Sequence, residues 1–278
     1  RGISPNLTEL VVAGELNVLG TLEDEVEFTV ASSSSDSIWY GIVMRPGASM
    51  TSQYLATKQG GFAITGEISK NGSLSFVNST INRCANGINL LISGEITLDH
   101  AAITGVAGNA IRVSGNGMLR LHDSVIKHNG REGISLRNSG LEATDTRVEV
   151  SGLLDRTDPR SGLIGTGGRG QRIELSNCTI TENLLHGVQL DEWAGEVLIS
   201  ASHISANQRN GFLGNSLERA VFKDALISRN IGNGVVCNDS PIEIFQTVFE
   251  DNVGTGLVVT GGSGGSIEMS TFIGGSGI

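Results

Sequence analysis

The sequence predicts an all-β chain wound into a solenoid of about 11 coils, with three short parallel sheets running along it. Three observations carry this. First, a glycine followed by an aliphatic or aromatic residue recurs: Gly87-Ile88, Gly133-Ile134, Gly162-Leu163, Gly187-Val188, Gly211-Phe212, Gly234-Val235, Gly256-Leu257 and Gly277-Ile278, with Ala110-Ile111 taking the place once. Successive steps are 23, 23, 29, 25, 24, 23, 22 and 21 residues, and Gly41-Ile42 and Gly61-Phe62 extend the series backwards. Second, each interval contains apolar residues in alternation, then a small residue and another aliphatic, as in Leu119-Arg120-Leu121-His122-Asp123-Ser124-Val125-Ile126 and Ile173-Glu174-Leu175-Ser176-Asn177-Cys178-Thr179-Ile180. Period two means a strand with one buried face. Third, Gly, Asn and Ser turns cut the chain into strands of three to five residues, with no sustained helical period.

In such a winding, equivalent strands pair in parallel from coil to coil, and inward residues stack in columns. One column is Ile88, Ile111, Ile134, Val188, Phe212, Val235 and Leu257; the next is Leu90, Val113, Leu136, Leu190, Cys237 and Val259. The turn after the alternating phrase carries Asn78, His100, Asp123, Asp145, Asn177, Asp224 and Gln246. A third column holds Asn129, Asn183, Asn207, Asn230 and Asn252. Asn and Asp tolerate left-handed backbone angles and bond nearby amides, and stacked copies can bond one another. Turn chemistry accounts for these polar columns, including the line of acids.

A net charge of −10 and the lack of a basic stripe argue against a nucleic-acid partner, and no apolar run reaches membrane-spanning length. The three cysteines fall in separate coils. Cys237 lies in an inward column, and Cys178 where other coils place Ser79, Ala101, Ser124 and Thr146, so both read as buried thiols. With 38% hydrophobic but only 4% aromatic residues, the expected core is thin and aliphatic.

Asn177-Cys178-Thr179-Ile180-Thr181-Glu182-Asn183 running into Gly187-Val188-Gln189-Leu190 resembles the repeat of right-handed parallel β-helix proteins of the pectate-lyase-like superfamily. Leu10-Val11-Val12-Ala13-Gly14-Glu15-Leu16 and Trp39-Tyr40-Gly41-Ile42 look like the opening coils of secreted members, with Trp39 as a core or turn residue. The resemblance implies a right-handed parallel β-helix over nearly the whole chain and an extracellular or cell-surface location. Its members include polysaccharide lyases, hydrolases, alginate-acting enzymes and adhesins, so it leaves activity open. Residues 1–278 read as one β-helix domain of a longer chain, because Gly277-Ile278 opens another coil; further coils, a cap or a partner subunit are expected beyond it.

Chemistry is expected where the rhythm breaks. The long step from Gly133 to Gly162 contains a protruding insertion at 151–160, with Asp155, Arg156, Asp158 and Arg160 as its charged residues. Beside it, the outward positions Arg112 and Arg137 are expected as neighbours, with Asp191 two coils on, then Glu192 and an exposed Trp193. Arginine grips carboxylate bidentately and an indole stacks on sugar, so Arg112, Arg137, Asp191, Glu192 and Trp193 form a candidate site for an acidic glycan. His128 and His186 read as turn residues. If the chain is an enzyme, Asp155, Asp158, Asp191, Arg156 and Arg160 are the catalytic candidates; a hydrolase needs two carboxylates roughly 5–9.5 Å apart. A lyase would use a Lys or Arg base and calcium. The polygalacturonase motifs are absent, and Asp158-Pro159 is similar to an alginate-epimerase motif in which histidine follows, whereas Arg160 follows here. No cofactor or metal site is otherwise expected. The leading reading is a structural or adhesive module that touches glycans; the alternative is a polysaccharide lyase or hydrolase.

Overall fold

The computed structural model describes residues 8–30, 39–153, 160–262 and 264–275. Among the described residues, thirty-three short strands form three parallel sheets of eleven strands each. Sheet 1 runs from Glu9–Val12 to Leu257–Thr260, sheet 2 from Glu15–Leu19 to Gly265–Glu268, and sheet 3 from Val26–Phe28 to Thr271–Ile273. Every third strand in sequence pairs with the last of its kind, so each coil contributes one strand to each sheet. There is no helix among the described residues.

The strands run three to five residues, with Phe62–Ile68 and Asn86–Ile92 reaching seven, too short to be stable alone; stacking is what holds them. The register follows the predicted column: Ile88 pairs with Ile111, Ile111 with Ile134, Val188 with Phe212, Phe212 with Val235 and Val235 with Leu257, all buried. Sheets 2 and 3 supply the opposing sides, through Leu119, Leu121, Ile173 and Leu175, and through Ile126, Ile180 and Phe249. Each fully buried side chain of this kind contributes about 1.5–3 kcal/mol over leaving it in water. The second column departs at its end, where Val259 in the last strand of sheet 1 is 40% exposed.

Three turns per coil change direction, and most of them use a residue of positive φ. After sheet 2 these are Asn78, His100, Asp123, Asp145, Asn177, Asp224 and Gln246, with φ of 43–53°, as the sequence indicates. The residue after this turn is small and buried, and its hydroxyl bonds the carbonyl two residues back: Ser79 to Val77, Ser124 to His122, Ser202 to Ser200. Cys178 occupies the same place, its Sγ on the Ser176 carbonyl at 3.4 Å. Burial pushes its thiol up to about 11 and that of Cys237 to about 12, so both are packed and unreactive. All three cysteines are free and buried.

The asparagine column corrects one expectation. Its left-handed residues lie one position earlier, at His128, Glu182, Ala206, Arg229 and Asp251. The asparagines themselves point inward and are buried. Their amides bond in series, Asn183 Nδ2 to Asn207 Oδ1 at 2.9 Å, Asn207 to Asn230 at 2.9 Å and Asn230 to Asn252 at 2.8 Å. Each Oδ1 also accepts the preceding asparagine's backbone N–H at 3.1 Å. In the coil before, Ser151 holds this position, pairing with Asn129 as the last residue of Arg147–Ser151.

Candidate functional site

The outer face of sheet 1 carries a groove of about 360 Å³ at the corner where the chain enters the sheet. Phe62, Ala85 and Ala107 give it an apolar floor; Asn86, Asn89 and Asn109 line it, and Arg112 and Arg131 bring two guanidinium groups. Local alternation explains Arg112: Ile111 and Val113 are buried, so the residue between them faces out. Arg131 is set by its corner, where its N–H bonds the Gly108 carbonyl at 3.2 Å. The Oδ1 of Asn109 is buried without a hydrogen-bond partner. A buried acceptor of that kind costs about 1–3 kcal/mol until a donor arrives. Arg112, Arg131 and Arg137 have no ion-pair partner among the described residues. On sheet 2, by contrast, Arg120, Arg172 and Arg219 each lie between two glutamates of the same or neighbouring coils. On a chain of net charge −10 the groove, lined by two arginines and no carboxylate, is thus locally cationic.

A family model for the right-handed β-helix region matches residues 22–163 and 155–272. The chain belongs to the right-handed β-helix family. Solved structures agree in fold. The A-module of mannuronan C-5 epimerase AlgE4 from Azotobacter vinelandii superposes with a TM-score of 0.59 at 12% identity, covering 95% of this chain and 87% of that one. A structure of the periplasmic alginate epimerase AlgG gives 0.58 at 13% identity, over 97% and 85%. The catalytic domain of a GH87 alpha-1,3-glucanase gives 0.53 at 10% identity, over 97% of this chain and 61% of that one. At these identities the likeness is one of fold. No curated protein matches the chain.

The β-helix distributes the other candidates differently from the sequence reading. Arg112 and Arg137 are not paired across strands: Arg112 faces Ser135, while Arg137 faces Ser114 and Thr166. They sit two residues apart along the strands, on the same outer face, because Arg112 follows its anchor Ile111 by one residue and Arg137 follows Ile134 by three. Asp191 does lie two coils beyond Arg137, in its column through Thr166. Its carboxylate accepts Asn215 Nδ2 at 2.6 Å and Gln189 Nε2 at 3.0 Å, so it heads an outward amide ladder that continues from Asn215 to Asn238. Glu192 is the left-handed turn residue after it, with φ of 52°.

Trp193 is fully buried, which overturns its reading as an exposed stacking platform. The residue after the left-handed turn points inward in every comparable coil: Ser139, Trp193, Leu217 and Ser240 are all buried. Gly165 and Gly168 make room for the indole; a Cβ on Gly168, whose φ is +76°, would sit 2.5 Å from the ring. Trp39 is a core-edge residue, edge-on to Phe28 and donating Nε1–H to the Lys58 carbonyl at 2.9 Å.

Of the insertion, Asp155, Arg156 and Asp158 lie outside the described residues. Arg160 is engaged by Glu132, Nη1 to Oε1 at 3.2 Å, with the glutamate side chain only 8% exposed. Neither Glu132 nor Arg131 stands out in the sequence, because both sit in a turn of unremarkable length before Gly133. His128 is a left-handed turn residue. His186 stands in a column with Asn210 and Asn233, and its Nδ1 accepts the Asn210 N–H at 3.2 Å as Asn210 Oδ1 accepts that of Asn233. Burial, and secondarily the Arg209 charge, push this imidazole down to about 4, against a smaller opposing pull from Asp191. Among the described residues no three His, Cys, Asp or Glu side chains converge to hold a metal ion, and no helix is long and apolar enough to cross a membrane.

Proposed function

We infer that the chain engages an acidic polysaccharide through the outer face of sheet 1, as an extracellular or cell-surface module. The observation that carries this reading is the groove holding Arg112 and Arg131 without carboxylate partners, with Arg137 on the same face. Guanidinium groups bind sugar carboxylates or sulfates bidentately, Phe62 offers an apolar surface, and Asn86 and Asn89 line the groove with polar side chains. The fold supports the class of partner: the structural neighbours named above include alginate epimerases and a glucanase.

Calorimetric titration with oligomers of galacturonate, mannuronate and glycosaminoglycan tests the reading. Arg112→Ala and Arg131→Ala are each expected to weaken binding about tenfold or more, and added salt to weaken it further. Absence of binding, or binding unchanged in the double variant, would overturn it. The enzyme alternative, lyase or hydrolase, is read in the same samples from unsaturated and reducing ends, with and without calcium. Product formation abolished by Asp158→Ala would replace the binding module with an enzyme.

A further inference from the structure

We propose that a divalent transition-metal ion binds at the corner between sheets 2 and 3, held by His100 Nε2 and Asp123 Oδ2. The site is separate from the sheet-1 groove and independent of the function inferred for it.

Two dipeptides of reversed order end neighbouring strands of sheet 2. Asp99-His100 closes Glu95–Asp99, and His122-Asp123 closes Met118–His122. Asp99 pairs with His122 in the register, and the His100 N–H bonds the His122 carbonyl at 3.0 Å, so the two corners are fixed against each other. His100 and Asp123 both take left-handed turn angles, φ 50° and 43°, which send their side chains out side by side.

The imidazole of His100 then lies between two carboxylates, Nδ1 at 2.8 Å from Asp99 Oδ1 and Nε2 at 3.0 Å from Asp123 Oδ2. Ionised carboxylates only accept hydrogen bonds. A neutral imidazole has one proton, and with that proton on Nδ1 toward Asp99, the Nε2 lone pair faces a carboxylate oxygen. A cation between them, either a second ring proton or a metal ion, turns that contact from repulsive to attractive. A zinc-like ion takes imidazole nitrogen at about 2.0–2.1 Å and carboxylate oxygen at about 2.0–2.2 Å, so donors 3.0 Å apart subtend roughly a right angle at it. Slight opening of two exposed side chains reaches tetrahedral or octahedral geometry.

Asp99 fits the same arrangement. Metal-bound histidines characteristically donate their other ring N–H to a carboxylate, which fixes the tautomer and raises ligand basicity. Asp99 stands where that partner belongs. The His122 ring, 5.9 Å from that of His100, offers a further nitrogen after a rotamer change, and water completes the shell. Mixed imidazole and carboxylate donors favour zinc, nickel or copper over magnesium or calcium. Asp145, the next acid along this corner, is bonded by Asn177 and is not part of the set.

Titration of the intact chain with zinc chloride or nickel chloride at neutral pH, followed by calorimetry, is expected to show one saturable site. His100→Gln and Asp123→Asn should each lower the affinity at least tenfold. Asp99→Asn should lower it less while keeping the stoichiometry, the mark of a positioning residue. Nickel added to the unsubstituted chain should selectively broaden the His100 resonances, a readout that needs no variant. Absence of saturable binding into the millimolar range, equal affinity in His100→Gln, or tighter binding of calcium than of zinc would each overturn the proposal, leaving a proton as the cation between His100 and Asp123.

Discussion

Asn207 shows how one side chain serves three coils. Its Oδ1 accepts two N–H groups from Asn183, and its Nδ2 donates to Asn230 Oδ1 and to the Ile180 carbonyl, all out of contact with water. Asn207→Ala strands the Asn183 amide and is expected to cost about 3 kcal/mol in denaturant unfolding. The ladder's one gap points the other way. Asn129 Nδ2 and Ser151 Oγ are both buried without partners, because serine is too short to reach where asparagine reaches elsewhere. Gly133 leaves the same space beside Ser151 that Gly162 leaves beside Asn183. Ser151→Asn should therefore raise stability by about 1 kcal/mol, seen as a higher melting temperature. His186 gives the pH dependence. Its folded-state value of about 4 lies below the ordinary 6.5, so the unfolded chain takes up a proton first as pH falls. The stabilisation is complete above about pH 6.5, declines towards pH 4 and is gone below it. Allowing for partial solvent screening, the loss should be about 1–2 kcal/mol. His186→Asn keeps an acceptor for the Asn210 N–H and should flatten this part of the stability curve.

At the scale of a strand and its turn, the recurring glycine has a steric cause. A Cβ on Gly187 would lie 2.7 Å from the Gly211 carbonyl oxygen and 2.8 Å from Asn207 Nδ2; Gly211 and Gly234 meet their neighbours in the same way. The glycine is thus the counterpart of the asparagine ladder, and Gly187→Ala should cost about 1–3 kcal/mol through overpacking. This also marks what the sequence could and could not tell. The inward columns were legible because strand alternation and a period near 23 give the register directly. Trp193 was not, because alternation carried past Asp191 places it outward, whereas the left-handed Glu192 turns the chain back in. Alignment with Ser139, Leu217 and Ser240 held the signal. The Trp193 Nε1 has no hydrogen-bond partner. Trp193→Phe should then be tolerated within about 1.5 kcal/mol, while Trp193→Ala should cost about 3–5 kcal/mol; urea unfolding distinguishes them.

For the whole molecule, fold was legible and the site only partly so, for one physical reason. The fold is set by every coil repeating the same pattern, while the groove is set by single residues, such as Arg131 at its corner, that no repetition marks. A solenoid whose coils touch only their neighbours should behave as a stack of near-independent units. Removing residues 212–234 joins Gly211 to Val235 and brings together strands already suited to pair. Val235 replaces Phe212 against Val188, Ile244 replaces Phe222 against Ile199, Phe249 replaces Ile227 against Ile204, and Asn252 replaces Asn230 in the ladder. The edge-to-face pair of Phe212 and Phe222 leaves intact as a unit, so neither ring is left facing a void. Such a variant should keep its β-sheet circular dichroism and unfold cooperatively at a somewhat lower temperature. Removing residues 212–223 alone should abolish both, because the strand Leu226–Ser228 of sheet 3 would then enter the position of sheet 1 and every later column would lose its partner. Equal tolerance of the two deletions would mean that stability resides in individual coils, and not in the register between them.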